Sequence, residues 1–222
     1  MTAEHAESWE WATDPQSPLW CVTFTSNTTV TEVLRRYGTL TQRPRLQARV
    51  EVADLYEQAF IQGSVLRAGS LGTWSFCYED AGAAGSMPGP LEALSHETET
   101  LSVLKGGDGT NRLSYWRDGM PVESFEPGNP RTEPQPGSLE EAVNTRIATA
   151  LGDPSLLSAL EVVAQYVGAP LNANTLSGPL LTVLLSQARE PAVSPASRRD
   201  SAASQPTTRS LGRAIGAFPP TT

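Results

Sequence analysis

Between Glu99 and Glu126 the chain reads as three short strands separated by turn residues, and this pattern narrows the accessible folds more than any other stretch. The runs Glu99–Lys105, Arg112–Arg117 and Pro121–Glu126 contain β-branched and aromatic residues, and the breaks Gly106-Gly107-Asp108-Gly109 and Asp118-Gly119 are hairpin sequences. Glycine supplies positive φ and Asp bonds its own backbone, so strands joined in this way form an antiparallel meander. Three further strands are expected upstream. Trp20–Thr25 alternates large apolar and smaller side chains, while Val65–Ala68 and Thr73–Glu79 are joined through Gly69-Ser70-Leu71-Gly72 with Trp74, Phe76 and Tyr78 on one face.

Helices are marked by caps and by three- and four-residue spacing. Thr29-Val30-Thr31-Glu32 is a capping box ahead of Val33, Leu34 and Tyr37, and Val52, Leu55, Tyr56, Ala59 and Phe60 form a second amphipathic stripe. Pro90 can start a short helix through Leu91 and Leu94. Ser138-Leu139-Glu140-Glu141 caps a stripe of Leu139, Val143, Ile147 and Leu151, and Asp153-Pro154 precedes another of Leu156, Leu160, Val163 and Val167. The apolar stretch Leu176–Leu185, broken by Gly178-Pro179, is expected to be one shorter helix beginning near Pro179, and Thr39–Arg49 a loop. The expected fold is α+β, an antiparallel sheet of about five to six strands packed by helices.

Residues 1–18 read as an arm able to dock Trp9 and Trp11, 19–187 as a single domain with a Pro/Gly linker near 127–137 and C-terminal helices over 138–187, and 188–222 as a disordered tail. The 222 residues carry 16 basic and 24 acidic groups, a net charge of −8. The tail holds five Arg against Glu190 and Asp200, a charge of +3, which leaves −11 on residues 1–187. An acidic body without a basic patch opposes nucleic acid, and no apolar run reaches the roughly 20 residues that cross a bilayer. With no secretory leader pattern, a cytoplasmic protein is expected. Fifteen of the 16 basic residues are Arg, a bias that suggests a GC-rich genome.

No motif assigns a cofactor or metal. Cys21 and Cys77 form no C-x-x-C pair and are expected to be reduced packing thiols; His5 and His96 lack metal-ligand spacing, and no G-x-S-x-G elbow surrounds a serine. The loop containing Gly82, Gly85 and Gly89 lies between a strand and a helix, as phosphate-binding loops do. It contains no Lys or Arg, its spacing matches no phosphate fingerprint, and Glu79 and Asp80 at its mouth repel anions. Carboxylates at Glu79, Asp80, Asp108, Asp118, Glu123 and Glu126 flank the strands, where turn and solvation roles compete with Ca²⁺ binding or acid–base work.

The run Arg112-Leu113-Ser114-Tyr115-Trp116-Arg117 has an aromatic on both strand faces. Either helices cover both sides of the sheet, or Trp116 with Arg112 anchors a partner, since Trp and Arg are enriched at interface hot spots.

Several of these blocks together, Trp20-Cys21-Val22-Thr23-Phe24, Trp74-Ser75-Phe76 with Glu79, Gly82 and Gly85-Ser86, and Arg112-Leu113-Ser114-Tyr115 with Asp118-Gly119 and Ser124-Phe125-Glu126-Pro127, resemble an uncharacterised domain family of high-GC actinobacteria. The resemblance spans roughly residues 17 to 170. The chain departs from that pattern in a weaker Gly-rich loop, with no aromatic after Gly82, and in its long tail. The resemblance implies an α+β fold and a cytoplasmic actinobacterial protein, and it implies no activity.

Two functional readings follow. In the first, the chain is a non-enzymatic protein-binding module, immunity-like in its acidity, with Arg112, Tyr115, Trp116 and Arg117 contacting a protein partner for which a basic surface is the natural complement. In the second, it is a small-ligand-binding protein or a carboxylate-dependent enzyme, with Glu79, Asp118 and Glu126 converging near the Gly-rich loop and the meander turns.

Overall fold

The structure is a computed structural model and describes residues 9–39, 42–129, 134–150 and 154–186. The 188–222 tail, and residues 130–133 of the expected linker, lie outside the described residues.

After a one-turn helix α1 (Glu10–Thr13) the chain forms β1 (Trp20–Ser26), α2 (Val30–Arg36), β2 (Arg45–Gln47), a 3₁₀ turn (Arg49–Val52) and α3 (Ala53–Gln62). It continues through β3 (Gly63–Leu71), β4 (Trp74–Asp80), a second 3₁₀ turn (Ala84–Ser86), α4 (Pro88–Leu94), β5 (Glu99–Lys105), β6 (Asn111–Arg117) and β7 (Met120–Phe125). α5 (Leu139–Thr149), α6 (Ser155–Val167), α7 (Ala173–Ser177) and β8 (Leu180–Ser186) complete it. All eight strands join one open antiparallel sheet in the order β2-β8-β3-β4-β1-β5-β6-β7.

The expected meander is β5-β6-β7. Its second hairpin turns at Asp118 and Gly119, both at positive φ (51° and 76°), the backbone that a two-residue turn between twisted strands requires. The N-caps also form: Thr29 Oγ1 accepts the Glu32 N–H at 3.2 Å and Ser138 Oγ the Glu141 N–H at 3.1 Å. The Glu32 and Glu141 carboxylates do not close reciprocal boxes. Glu32 pairs with Arg35 and Arg36, and Glu141 accepts the Gly137 N–H.

The described residues contain eight strands where the pattern predicts five to six. One addition, β2, has three residues in a stretch expected to be a loop, too short to show a period. The other, β8, replaces the helix expected across Leu176–Leu185. It lies between β2 and β3 in the sheet, so it is apolar on both faces and lacks the alternation that separates a strand from a buried helix. The helix in this region is only α7, capped by Asn172 Oδ1 and ended by Gly178-Pro179. Arg67 fixes this reversal. Although wholly buried on β3, it donates to the carbonyls of Leu176, Gln47 and Gly178, which ties α7 and β2 to the sheet.

One sheet face is apolar. Trp20, Val22, Phe24, Trp74, Phe76, Tyr78, Leu101, Val103, Leu113 and Tyr115 meet Val143 of α5 and Leu156, Leu160 and Val163 of α6 there. The N-terminal segment joins this core. Trp9 and Trp11 are buried, the Trp11 ring lies 4.8 Å from that of Trp20, and its Nε1 donates to Leu171 O at 2.8 Å. Lys105 holds the same segment through the carbonyls of Asp14 and Ser17. On the opposite face Val33 and Leu34 of α2, its C-cap Tyr37, and Leu94 of α4 pack on Leu66, Ala68, Cys77 and Val183. No helix among the described residues is long and apolar enough to cross a membrane.

Because Trp11 is core rather than trailing chain, Trp11→Ala is expected to cost about 3–5 kcal/mol in urea unfolding, the range for deleting a buried aromatic. A loosely attached arm would give a change near zero.

Candidate functional site

The second face of the sheet is polar and buried. Period-two alternation sends Cys21, Thr23 and Thr25 of β1, Ser75, Cys77 and Glu79 of β4, Thr100 and Ser102 of β5 and Ser114 of β6 to this side, and all are buried. Polar groups taken from water need partners. Thr25 Oγ1 meets Thr100 Oγ1 at 3.1 Å, Thr23 Oγ1 meets the Tyr37 hydroxyl at 2.9 Å, and Cys21 Sγ lies 3.4 Å from Ser102 Oγ.

The Gly-rich loop after β4 supplies the rest. Glu79, fully buried, accepts the Ala84 N–H at 3.0 Å and the Gly85 N–H at 2.9 Å, one on each carboxylate oxygen, while Ser102 Oγ donates to Gly85 O at 2.8 Å. A Cβ at Gly85 would overlap the Tyr37 hydroxyl, and one at Gly82 would overlap Glu79 and Ser64. The loop therefore inserts its backbone where a side chain has no room. It is a plug bonded to the sheet, where its composition suggests a flexible connector.

The cysteines share this environment. Thr23 lies opposite Cys77, so the two thiols are diagonal neighbours on adjacent strands, and both are free. Burial first, and then the Glu79 charge, push both thiols up, which keeps them protonated and poorly nucleophilic. His96 is exposed, and its carbonyl accepts from Arg36.

The four aromatic and Arg candidates separate onto opposite faces. Tyr115 is buried on the apolar side, where its hydroxyl donates to Glu99 Oε2 at 2.7 Å. Tyr166 from α6 and Arg117 donate to the same oxygen, each at 3.0 Å, and the Arg117 guanidinium lies 5.3 Å from the Tyr115 ring centroid. Tyr115 thus helps fasten α6 to the sheet through Tyr166, while the Arg117 side chain stays largely exposed beside Glu99. Arg112 and Trp116 are on the other face, Arg112 exposed and Trp116 partly buried.

Beside them, β7 is an edge strand, with Met120 66% and Val122 52% exposed. At the hairpin end the Asp118 N–H bonds Thr98 O, the Gly119 N–H bonds Ser95 O, and Gly119 abuts Glu92. These contacts gather the exposed carboxylates of Glu92, Glu97 and Asp118 around the turn that leads into Met120.

The three carboxylates of the enzyme reading are not brought together. Asp118 and Glu126 stand at opposite ends of β7, roughly 20 Å apart at about 3.3 Å per residue. Glu79 is buried four strand spacings from β7, about 19 Å at about 4.8 Å each. Glu126 instead accepts from Asn129 Nδ2 at 3.0 Å and lines a cavity of about 430 Å³ with Arg112. Among the described residues no group of three or more His, Cys, Asp or Glu has the arrangement to hold a metal. Sequence periodicity already places Cys21 with Thr23 and Thr25, and Cys77 with Ser75 and Glu79, on the polar phase of their strands, but it does not show the loop that covers them.

Two stability measurements check these assignments. Glu79→Gln replaces a group that accepts on both oxygens by an amide with one acceptor, and is expected to cost about 1–3 kcal/mol. Gly85→Ala is expected to cost about 1–3 kcal/mol through overpacking. Both should lower the urea midpoint without changing the slope.

The Glu99 cluster predicts a pH effect. Burial opposes ionisation, but the hydrogen bonds from Tyr115, Arg117 and Tyr166 outweigh it and hold the Glu99 carboxyl below its ordinary value of 4.5. A lowered folded value stabilises above the unfolded value, and that contribution disappears as pH falls through the folded one. Stability should therefore decline as pH drops below about 4.5, and less steeply in Tyr115→Phe. Equal slopes for the two proteins in urea titrations would remove the cluster as the source.

No curated protein and no solved structure matches the chain. A family model does: it covers residues 5–152, from the N-terminal segment through α5. α6 and β8 lie beyond that match, although α6 fills the apolar core and β8 sits inside the sheet. The chain belongs to the family of unknown function DUF6461.

Proposed function

We propose that the protein is a non-enzymatic protein-binding module that presents the β6–β7 hairpin to a basic partner. The observation that carries this reading is the exposure of Val122 on the edge strand near partly buried Trp116, with exposed Met120 opposite Arg117 on the other face and the carboxylates of Glu92, Glu97 and Asp118 around the turn. Exposed apolar side chains gain by leaving water, and a negative rim steers and selects a positive counterpart. The net charge of −8 acts in the same direction. The groups most able to do covalent chemistry are buried, Glu79 and Cys21 beneath the glycine loop and Cys77 beneath the Val33, Leu34 and Tyr37 cluster, which favours docking over bond-making. Two unpaired thiols suit a reducing, cytoplasmic setting, and the Arg-over-Lys bias suits an actinobacterial source.

The test is affinity capture with immobilised protein, comparing wild type with a Trp116→Ala, Val122→Ser variant of matched melting temperature. A specific partner should be retained by wild type at low salt, released as ionic strength rises, and lost on the variant. Equal recovery of the same proteins by both baits would reject this surface.

A further inference from the structure

An uncommitted cation at the far end of the meander points to a second site. Most cationic side chains of the described residues are occupied: Arg35 and Arg36 by Glu32, Arg49 by Asp80, Arg117 by Glu99, Arg146 by Glu161, Arg67 and Lys105 by backbone carbonyls. Arg112, like the exposed Arg43 and Arg45, has no ion pair among the described residues. Yet it lines the cavity of about 430 Å³ that also contains Glu126 and Glu140, together with Asn111, Asn129 and Phe125. Opposite charges therefore share the walls of one cavity without touching across it.

The walls are fixed before any ligand arrives. Glu123 accepts the N–H groups of Leu139 and Glu140, each at 3.2 Å, which pins the first turn of α5 to β7. The turn that carries Glu126 is closed by the Asn129 N–H on Glu126 O at 3.1 Å and by the Asn129 amide on the Glu126 carboxylate at 3.0 Å. Gly128, at φ 83°, lies against Ser155 and holds that turn on α6. Preformed walls reduce the ordering cost that binding must offset.

We propose that this cavity binds a small zwitterion of the α-amino-acid class, its carboxylate on the Arg112 guanidinium and its ammonium between Glu126 and Glu140. A simple anion meets two carboxylates there, and a simple cation meets Arg112. A molecule carrying both charges satisfies each wall, and Arg is suited to the carboxylate because its planar fork makes paired hydrogen bonds. The volume is within the range of small-molecule sites, and the Asn111 amide favours a polar side chain on the ligand. This site is separate from the docking surface around Trp116 and Val122.

Calorimetric titration of the full chain tests it, with glutamine as the zwitterionic probe and acetate and methylammonium as single-charge controls. Glutamine is expected to bind saturably below about 10 mM, at least about tenfold more tightly than either control. Arg112→Ala and Glu126→Gln should each weaken it about tenfold, whereas Trp116→Ala should leave it unchanged. Absence of saturable glutamine binding, binding that survives both cavity substitutions in folded protein, or acetate binding as tightly as glutamine would each overturn the proposal. Loss of partner capture in Trp116→Ala, Val122→Ser with intact glutamine binding would separate the two sites.

Discussion

A row of polar side chains buried on one face of a β-sheet is the constraint on which the rest of this structure depends. Thr23, Thr25, Ser75, Thr100, Ser102 and Ser114 occupy positions where many sheets place Val or Leu, and Glu79 adds a carboxylate with no ion pair among the described residues. Each such group costs free energy unless it is bonded. Three devices supply the bonds: neighbouring strands share hydroxyls, α2 lowers Tyr37 onto Thr23, and the loop after β4 turns its amides toward Glu79. The loop must be rich in glycine because its backbone, not its side chains, touches the sheet.

That arrangement gives several of the sequence's polar and glycine blocks a structural role. Glu79, Gly82 and Gly85 form the plug, Ser114 bonds Ser124, and Asp118-Gly119 makes the hairpin turn. These residues build and close the fold. Chemistry directed outward has to use other groups, and the β6–β7 end of the sheet offers them. One end of that hairpin combines exposed apolar side chains with acids, while the other combines Arg112 with Glu126 and Glu140 in a cavity.

The two faces of β6 explain why the aromatic and Arg residues of one strand have different fates. Tyr115 and Arg117 lie on the α6 side and bond into a cluster with Glu99 and Tyr166, while Arg112 and Trp116 point the other way, where the helical cover ends. Alternation along the strand was visible in the residues. Which face received a helix was not, because α6 reaches β5 and β6 from a segment some fifty residues downstream.

Local chemistry in the chain determined the hairpin turns, the hydroxyl caps of α2 and α5, the alternating strands β1 and β4 and the meander, because each depends on neighbours within a few residues. Tertiary structure alone decided that Leu180–Ser186 is a strand, that Arg67 is a buried clamp, that the glycine loop is a plug and that Glu79, Asp118 and Glu126 stay apart. The reason is distance along the chain. A run apolar on every side has no period of its own, and a buried cation or carboxylate is explained only by partners that the sheet's strand order brings beside it.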